Sequence, residues 1–582
     1  MARKSVAKLR AGRGNKPGRS GSIRVKILPK DPLVARTKNL WPVDATIACA
    51  TVGDGPTSAR VAIVDYNADL DTRFAPARLL ADGSGFRGIA GLKNERILDD
   101  FNFHQVNVWA IIEQVLTVLE DDTALGRPVP WASGLGRLLV LPHAGYDDNA
   151  FYDRDTGALH LFYFEGLDGK PVYTCLSHDI VTHELGHAVL DGLKPGYNEV
   201  SSAETAGFHE YFGDAIAMLA SLKDREIAKL VTAGAPARLS ARNVVSAIAS
   251  EFGAAIHGLA EKDYLRGAWN KRKMSDLRGT FEEHDWSEIL TGVYYDLLQY
   301  LYIRNLKEIV HEAGSKKRDQ QQAIRALFRA AEQTASVMLR AIDYCPPVDL
   351  RYDEYARALL RADEVAYPND SYGIRAELTR IFRRRGLKPT PEDPRARSDI
   401  LHALRKAGDI DAITATPADA YRFLDEFREL FHIPFEANLS VVSVYRTKKR
   451  ARSGYWPPRE RVIEFTWSED VLLKGRGFGE LADTLLPLYC GGTLVFDGNG
   501  NFLHMALVLP TEERRKTLVQ YARYLVRSGS MGVSDGIRGL GAPDGGNFRI
   551  RATIEGKRLR LRRNAAMRHV RPGGHDHAGE QG

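Results

Sequence analysis

The segment DIVTHELGHAVLDG, residues 179–192, contains two histidines four positions apart, with a glutamate beside the first. If the segment is helical, His183 and His187 lie on one face about one turn apart, and both imidazoles can bind the same metal ion. Glu184 lies next to that face, where its carboxylate can reach the metal's open position. Because the short pattern also arises by chance in solvated helices, it predicts a metal site only if the chain supplies a third ligand.

The next helical stretch, GFHEYFGDAIA, offers that ligand. Glu210 and Asp214 are four residues apart and share a helix face. Glu210 is the preferred third ligand, while Asp214 can accept the free N–H of a ligand histidine and fix its tautomer. Glu204 is the rival ligand, but it closes a predicted capping box with Ser201 and has no acidic residue four positions later.

The elements that must position these residues change in character near residue 177. Before it, strand-like and turn-rich patterns surround a helix candidate at 104–121, a short strand at 137–143 and a hairpin-like stretch at 149–164, whose DRDTG marks a turn. After it, helical patterns dominate. The predicted helices are 178–193, with Ser177 as its N-cap, 202–222, 286–306 and much of 317–385.

The last third of the chain has a pattern of its own. KPTPEDPRAR, residues 388–397, is Pro-rich and charged, so it is predicted to be a linker. A DGNGN turn between apolar runs predicts a hairpin. GRGFGE lacks the strand and helix that a phosphate-binding loop needs, and we interpret it as a flexible loop. The predicted helices are 398–407 and 417–430, and the predicted strands are 438–445, 461–467, 493–497 and 503–509.

Length and composition limit the class of protein. A chain of 582 residues predicts two or three domains, and 44% apolar with 27% charged residues is typical of soluble globular proteins. No apolar run approaches the ~18 residues that span a bilayer, and no secretory signal is recognisable. We expect a cytoplasmic protein, with signal-independent export left open. The cysteines are too far apart for a zinc ribbon and suit a reducing compartment; they are Cys49, Cys175, Cys345 and Cys490.

The net charge of +7 is concentrated at the two ends. Residues 1–30 hold ten Lys or Arg and no acid, residues 557–582 carry +5, and the rest of the chain has a net charge of −8. Such ends are either solvated and disordered, or they make weak, nonspecific contacts with nucleic acid or an anionic surface. Both interpretations stay open.

Together, these segments resemble the thermolysin family of zinc metallopeptidases, the gluzincins. DIVTHELGHAVLD matches the family's zinc helix, and GFHEYFGDAIA matches its Glu-x-x-x-Asp helix. NAFYDRDTGALHLFYF looks like the edge-strand hairpin that holds the substrate backbone, and HDWSEILTGVYYDLL resembles the segment with the catalytic histidine. The likeness covers about 100–387 and is strongest from 149 to 298.

The resemblance implies an α+β fold: a thermolysin-like, two-lobed metallopeptidase with a smaller α/β-type C-terminal domain added. The predicted organisation is a disordered basic arm (1–31), a β-rich N-terminal lobe with the substrate edge strand (32–177), a helical lobe with the zinc site (178–387), a linker (388–397), an accessory domain (398–555) and a disordered basic tail (556–582).

The resemblance also implies peptide-bond hydrolysis at one catalytic Zn²⁺. His183, His187 and Glu210 would be its ligands. Glu184 would take a proton from the metal's water and pass it to the leaving amine.

Further residues would bind the substrate and the developing oxyanion. His284 and the Tyr197 hydroxyl would stabilise the oxyanion. The extended substrate would add to the hairpin edge, where it would contact the Asn149 side chain and the Ala150 backbone. Arg266 would donate to a substrate carbonyl. The family's preference is for an apolar residue just after the scissile bond.

Three features depart from the family. Its members usually have a signal and a large prodomain, and neither is recognisable here. Structural calcium is not predicted, because Asp179 alone remains of the acidic cluster that binds it. The acid that should orient His284 has no single counterpart, and Glu282, Glu283 or Asp285 can substitute.

The leading hypothesis is therefore a zinc endopeptidase that acts on a peptide or protein substrate. The alternative is a catalytically silent scaffold or binding protein that acts through its C-terminal domain and basic ends, although such a protein would not need Glu184 beside intact ligands. An aminopeptidase-type enzyme is a third hypothesis, but its shorter gap to the third ligand and its motif for the substrate's amino group are not found. The sequence gives no indication of the oligomeric state.

Overall fold

The computed structural model describes residues 21–49, 51–89, 91–92, 94–258, 264–314, 317–389, 394–451, 457, 459–533 and 550–563. This part of the chain mixes helices and strands, as the predicted α+β class requires. One large hydrophobic core lies under residues 23–387, and a second lies in the C-terminal part. No helix within these ranges is long and apolar enough to cross a membrane. The predictions for residues 1–20, 390–393 and 564–582 lie outside the described residues.

The N-terminal part packs short strands around one long, largely buried helix, α3. Its N-cap, Asp100, accepts a hydrogen bond from the Phe103 N–H, and its buried residues contact the sheet on one side and the helical part on the other. The elements are β1 (Ser22–Ile27), α1 (Pro32–Lys38), β2 (Val43–Ala48), β3 (Val61–Ile63), β4 (Tyr66–Asn67), β5 (Thr72–Arg73), α2 (Glu95–Leu98), α3 (Phe101–Glu120), β6 (Leu138–Leu141), β7 (Ala150–Asp153), β8 (Ala158–Leu161), β9 (Tyr163–Glu165) and β10 (Pro171–Tyr173).

A four-stranded sheet in this part ends in the predicted hairpin. Its order is β3-β6-β8-β7, with β3, β6 and β8 parallel and β7 antiparallel to β8. The DRDTG turn joins β7 to β8, and Ala150 lies opposite Leu161. The hairpin prediction is confirmed, and β7 is the last strand of this sheet.

The helical part is built on two adjacent buried helices, α4 and α5. Every residue of α4 is buried, and Ser177 caps it by accepting a hydrogen bond from the Ile180 N–H, as predicted. The elements are α4 (His178–Leu193), α5 (Ala203–Ser221), α6 (Arg225–Val231), β11 (Ala247–Ile248), α7 (Ser250–His257), β12 (Arg266–Gly267), α8 (Glu283–Glu312), α9 (Gln320–Ile342), α10 (Tyr352–Ala366) and α11 (Ile374–Arg385).

Glycines allow α4 and α5 to approach closely. A Cβ atom on Gly186 would lie 2.8 Å from the Gly213 Cα, and a Cβ atom on Gly213 would lie 2.7 Å from the His183 ring. Contacts this short are not tolerated, so neither position accepts a side chain without moving the helices apart.

The C-terminal part has a seven-stranded sheet of its own. The strand order is β13-β14-β15-β19-β18-β17, and β16 also pairs with β15. The sequence did not predict α15, although its apolar residues recur at helical spacing. The elements are α12 (Pro394–Ala407), α13 (Ile410–Ile413), α14 (Pro417–Glu426), β13 (Ser440–Thr447), β14 (Glu460–Leu472), β15 (Leu485–Phe496), β16 (Phe502–Val508), α15 (Glu512–Arg527), β17 (Met531–Val533), β18 (Ile550–Glu555) and β19 (Arg558–Arg563).

The predicted N-terminal arm is wrong for residues 22–31, which include β1 and a buried turn. Lys30 is only 1% exposed because its ammonium group contacts the Asp179 carboxylate and Ser221 Oγ. Asp179 also accepts a hydrogen bond of 2.9 Å from the Ala249 N–H. Asp179, the one acid that the resemblance relates to a calcium cluster, is therefore paired with a lysine.

The predicted boundaries of the tail and the linker are also wrong. Residues 558–563 form β19, in which the apolar Leu559 and Leu561 are buried between arginines. The charge of this segment concealed its period-two pattern. The predicted linker ends early, because α12 begins at Pro394.

The predicted capping box at the start of α5 is wrong as well. Ser202, not Ser201, is the N-cap and accepts a hydrogen bond of 3.2 Å from the Thr205 N–H. Glu204 instead accepts a hydrogen bond of 2.6 Å from the Tyr352 N–H at the start of α10. Burial raises the pKa of Glu204 to about 8.

Buried ion pairs join the C-terminal part to the rest of the chain. The Asp343 carboxylate, fully buried, lies 2.7 Å from the Arg127 guanidinium and 2.7 Å from the Lys449 ammonium. Lys449 also lies 2.7 Å from Glu460. Tyr445 adds a hydrogen bond of 3.0 Å to Asp343. These charges are compensated only while both parts stay together.

We expect Asp343→Asn to destabilise the protein strongly, because it leaves the Arg127 and Lys449 cations buried with less compensation. Removing one partner from such a cluster costs about 3–5 kcal/mol. Urea denaturation monitored by circular dichroism measures the change. Glu95→Gln, which alters the exposed pair with Arg36, is the matched control and should cost less than about 1 kcal/mol. Equal, small effects of both variants would contradict this role for Asp343.

Candidate metal centre

Helices α4 and α5 bring the three predicted ligands together. His183 Nε2 lies 3.1 Å from His187 Nε2 and 3.4 Å from Glu210 Oε2. Glu210 Oε1 lies 3.7 Å from His187 Nε2. All three residues are buried. Donor atoms that bind one zinc ion at about 2 Å are separated by about 3–4 Å, so this donor set fits a single Zn²⁺.

Asp214 and Arg266 support the other side of the His183 ring. Asp214 Oδ1 lies 3.0 Å from His183 Nδ1, an arrangement that directs Nε2 toward the other two ligands. Arg266 Nε donates to the same Asp214 oxygen at 2.9 Å. Burial opposes ionisation of Asp214, but Arg266 and His183 lower its pKa below the usual value.

Arg266 was predicted to contact a substrate carbonyl. Its Nε is used by Asp214, and its Nη2 lies 3.1 Å from His183 Nδ1. Its Nη1 is buried and has no hydrogen-bond partner among the described residues. A buried donor of this kind is costly unless a ligand satisfies it, so the substrate contact stays a prediction that the geometry favours.

His284, at the start of α8, also lies beside the Glu210 carboxylate. Its Nε2 is 3.4 Å from Glu210 Oε2, and its Nδ1 is 3.0 Å from Glu282 Oε1. Of the three acids that could orient this histidine, Glu282 therefore makes the contact. Although burial opposes protonation, the charges and hydrogen bonds of Glu210 and Glu282 raise the pKa of His284 to about 9.

The pKa shifts of the ligands follow from burial and from their neighbours. Burial lowers the pKa of His187 to about 3, so its imidazole is neutral, the form that binds metal. Burial and Arg266 oppose protonation of His183, but hydrogen bonds to Asp214 and Glu210 raise its pKa. Burial opposes ionisation of Glu210 too, yet His187 and His284 hold its pKa well below the usual range.

Glu184 lies between the ligands and the edge strand. It is buried, and its Oε2 accepts a hydrogen bond of 3.2 Å from the Tyr152 N–H of β7. A peptide that extended the sheet at β7 would therefore pass close to this carboxylate.

An apolar pocket opens beside Glu184 and His183. Its walls come from α4, α7 and the two short strands β11 and β12. The apolar residues that line it are Ala150, Ile180, Ile248, Ala249, Phe252 and Leu265.

The predicted substrate contacts at the start of β7 stay predictions. Asn149 is only 2% exposed, and its Oδ1 accepts a hydrogen bond of 2.9 Å from the Ala150 N–H. The Asn149 side chain therefore supports the backbone at the point where the edge strand begins.

The predicted oxyanion role of Tyr197 stays a prediction, which the contacts of its hydroxyl do not favour. Tyr197 lies in a 3₁₀ turn, Pro195–Asn198, and is 1% exposed. Its hydroxyl donates a hydrogen bond of 2.7 Å to the Pro346 carbonyl, and burial raises its pKa well above the usual value. The phenol is therefore used in a structural hydrogen bond.

Two residues near Glu210 were missed from the sequence. Arg563, on β19, donates a hydrogen bond of 2.8 Å to Glu210 Oε1. Two residues earlier on the same strand, the Leu561 carbonyl accepts a hydrogen bond of 3.0 Å from the Val200 N–H, which fixes β19 beside the centre. His209 is buried with its ring centroid 5.7 Å from that of His187, and neither ring nitrogen has a hydrogen-bond partner among the described residues. The position of His209 directly before Glu210 in the sequence could have indicated that it lies near the centre. No local sequence pattern indicated that Arg563 does.

Comparisons with known proteins do not identify the chain. No family model matches it, and no curated protein matches it. Among solved structures, it is similar to the precursor of protealysin, a metalloproteinase from Serratia proteamaculans. The TM-score is 0.32 and the sequence identity 14%, over 57% of this chain and 89% of that one. A likeness this distant establishes no family.

We expect Tyr197→Phe to act on stability and not on the metal centre. The substitution leaves the buried Pro346 carbonyl without its donor, at a cost of about 1–3 kcal/mol. Urea denaturation and zinc competition with a chelating indicator measure the two quantities. Tyr66→Phe, which removes a hydroxyl bonded to Asp71 on the protein surface, is the control. Slower peptide cleavage by Tyr197→Phe at unchanged stability and zinc binding would support the oxyanion role predicted from the sequence.

Proposed function

We propose that this protein is a zinc-dependent endopeptidase with a thermolysin-like arrangement of its two lobes. The observation that supports this most strongly is the convergence of His183, His187 and Glu210, with Glu184 placed between them and the edge strand β7. A metal site without peptidase activity would need the three ligands, but it would not need a carboxylate at that position.

The donor set suits zinc. Two neutral imidazoles and one carboxylate are a common catalytic set that leaves a coordination position open. When bound, Zn²⁺ lowers the pKa of a water molecule and polarises the scissile carbonyl. His183 is held by Asp214, and one Glu210 oxygen is held by Arg563, so the chain itself orients these ligands.

The remaining steps of hydrolysis belong to the side chains around the ligands. Glu184 takes a proton from the attacking water and later transfers it to the leaving amine. His284, held by Glu282, donates to the carbonyl oxygen as negative charge develops there. Because the Tyr197 hydroxyl is bonded to Pro346, His284 is the side chain that provides this stabilisation.

The edge strand and the pocket define how a substrate is held. An extended peptide pairs with β7 and presents its carbonyl near Glu184. The Arg266 Nη1 atom, buried without a partner among the described residues, is available to a second substrate carbonyl. The apolar pocket beside Glu184 favours an apolar side chain next to the scissile bond.

We expect Glu184→Gln to abolish peptide cleavage while zinc remains bound. The amide cannot accept the proton from water, and the loss of a general base typically lowers turnover by about 10²–10⁴-fold. A quenched-peptide library measures cleavage, and atomic emission measures zinc. Glu165→Gln, the same change at an exposed position of β9, should leave both unchanged.

Two other outcomes would contradict the proposal. If wild type and Glu184→Gln both bind zinc and neither cleaves any peptide, the chain is a scaffold that keeps the centre without turnover. If Glu184→Gln cleaves as fast as wild type, the general base is a different residue.

We expect Arg563→Gln to weaken zinc binding by about 10–100-fold, because Glu210 loses the donor that orients its carboxylate. Competition with a chelating indicator measures the affinity. Arg551 lies on the neighbouring strand β18 and makes an exposed ion pair with Asp155. Arg551→Gln is the control and should bind zinc like wild type. Tighter zinc binding by Arg563→Gln would mean that the guanidinium competes with the metal for Glu210.

A further inference from the structure

A second group of metal-binding side chains lies in the N-terminal part of the fold, outside the centre described above. One ring nitrogen from each of His104 and His143 and the Cys175 thiol lie within 4.8 Å of one another. All three residues have no solvent exposure. Two imidazoles and a thiol are ligands that zinc prefers.

The topology brings these residues together from separate segments. Strands β3 and β6 are parallel neighbours, so Asp65 and His143, two residues beyond their respective ends, emerge at the same edge. His104 lies in the first turn of α3. Cys175 lies in a 3₁₀ turn, Thr174–Leu176, that leads directly into α4.

The two imidazoles have the orientation of metal ligands. In each ring the nitrogen that points away from the other ring, here called the outer nitrogen, contacts an oxygen atom. His104 Nε2 lies 2.8 Å from the Leu98 carbonyl oxygen, and His143 Nδ1 lies 2.9 Å from Asp65 Oδ1. The inner nitrogens face each other, with His104 Nδ1 2.8 Å from His143 Nε2. Histidines that bind metals donate their other N–H to a carboxylate or a backbone carbonyl in this way.

The hydrogen-bond geometry of this group favours a cation between the rings. Without one, the contacts of His104 with Leu98, of His104 with His143 and of His143 with Asp65 need three hydrogen atoms, one more than two neutral imidazoles supply. With a divalent ion, both imidazoles are neutral and both outer hydrogen bonds are kept. The ion, the Cys175 thiolate and the Asp65 carboxylate then sum to zero net charge, which a buried site requires.

We propose that His104 Nδ1, His143 Nε2 and the Cys175 thiolate bind a second, structural Zn²⁺. The inner nitrogens must separate by about 0.5 Å to match two ligands of one tetrahedral zinc ion. Gln105 Nε2 donates to Asp65 Oδ2 at 2.7 Å and holds the carboxylate that orients His143. An ion at this position would connect α3 and the ends of β3 and β6 to the turn that precedes α4.

Aromatic rings close the site against solvent. The Phe101 ring stacks on His143 with centroids 4.1 Å apart, and the Tyr173 ring lies 4.9 Å from that of His104. Because all three ligands are closed off from solvent, no substrate can reach the ion, and its role is structural.

Cobalt substitution tests this site separately from the proposed peptidase centre. Of the two sites, only this one contains sulfur, so full-length protein loaded with Co²⁺ should show a thiolate-to-cobalt charge-transfer band in the near ultraviolet. The band should persist in His187→Gln, disappear in Cys175→Ser, and remain in Cys49→Ser and Cys345→Ser, the controls at other thiols. Zinc content should be about two ions per chain in wild type and about one in either His187→Gln or Cys175→Ser.

Three results would overturn the proposal. One is the absence of the charge-transfer band in Co²⁺-loaded His187→Gln, which does not depend on the folding of any cysteine variant. Another is a folded Cys175→Ser that still binds two zinc ions. The third is a wild type that binds one zinc ion and loses it in His187→Gln. The buried group would then be a hydrogen-bonded network without a metal ion.

Discussion

The candidate metal centre depends on the close approach of α4 and α5. A Cβ atom on Gly213 would lie 2.7 Å from the His183 ring, and Gly186 faces Gly213 across the same contact. Because neither helix has a side chain there, Glu210 and Asp214, on either side of Gly213, both reach His183. A larger residue at either glycine would separate the third ligand from the two histidines.

The Glu210 carboxylate is fully buried, and its charge is compensated by residues from distant parts of the chain. Three imidazoles lie within 3.7 Å of it, and the Arg563 guanidinium donates to it from β19. An ionised carboxylate without solvent is stable only with such compensation. The C-terminal part therefore contributes to the centre itself. Two further ion pairs join it to the helical part: Glu464 pairs with Lys194, and Lys449 pairs with Asp343.

Local patterns in the sequence predicted local structure well. Spacing of four residues correctly indicated that His183 and His187, and Glu210 and Asp214, would share helix faces, and Ser177 was recognised as an N-cap. The contacts of Tyr197 and Arg563 could not be predicted in this way. The direction of Tyr197 depends on a short 3₁₀ turn, and Arg563 is 353 residues from Glu210 in the chain. The pairing of His104 with His143 likewise required the order of the strands.

The central claim is that one metal ion is held by His183, His187 and Glu210. Anomalous diffraction at the zinc edge, from crystals of zinc-loaded protein, tests it most directly. We predict a peak at about 2 Å from Nε2 of both histidines and from a Glu210 oxygen. Density in which Arg563 still pairs with Glu210 and no zinc peak lies between these three side chains would contradict it.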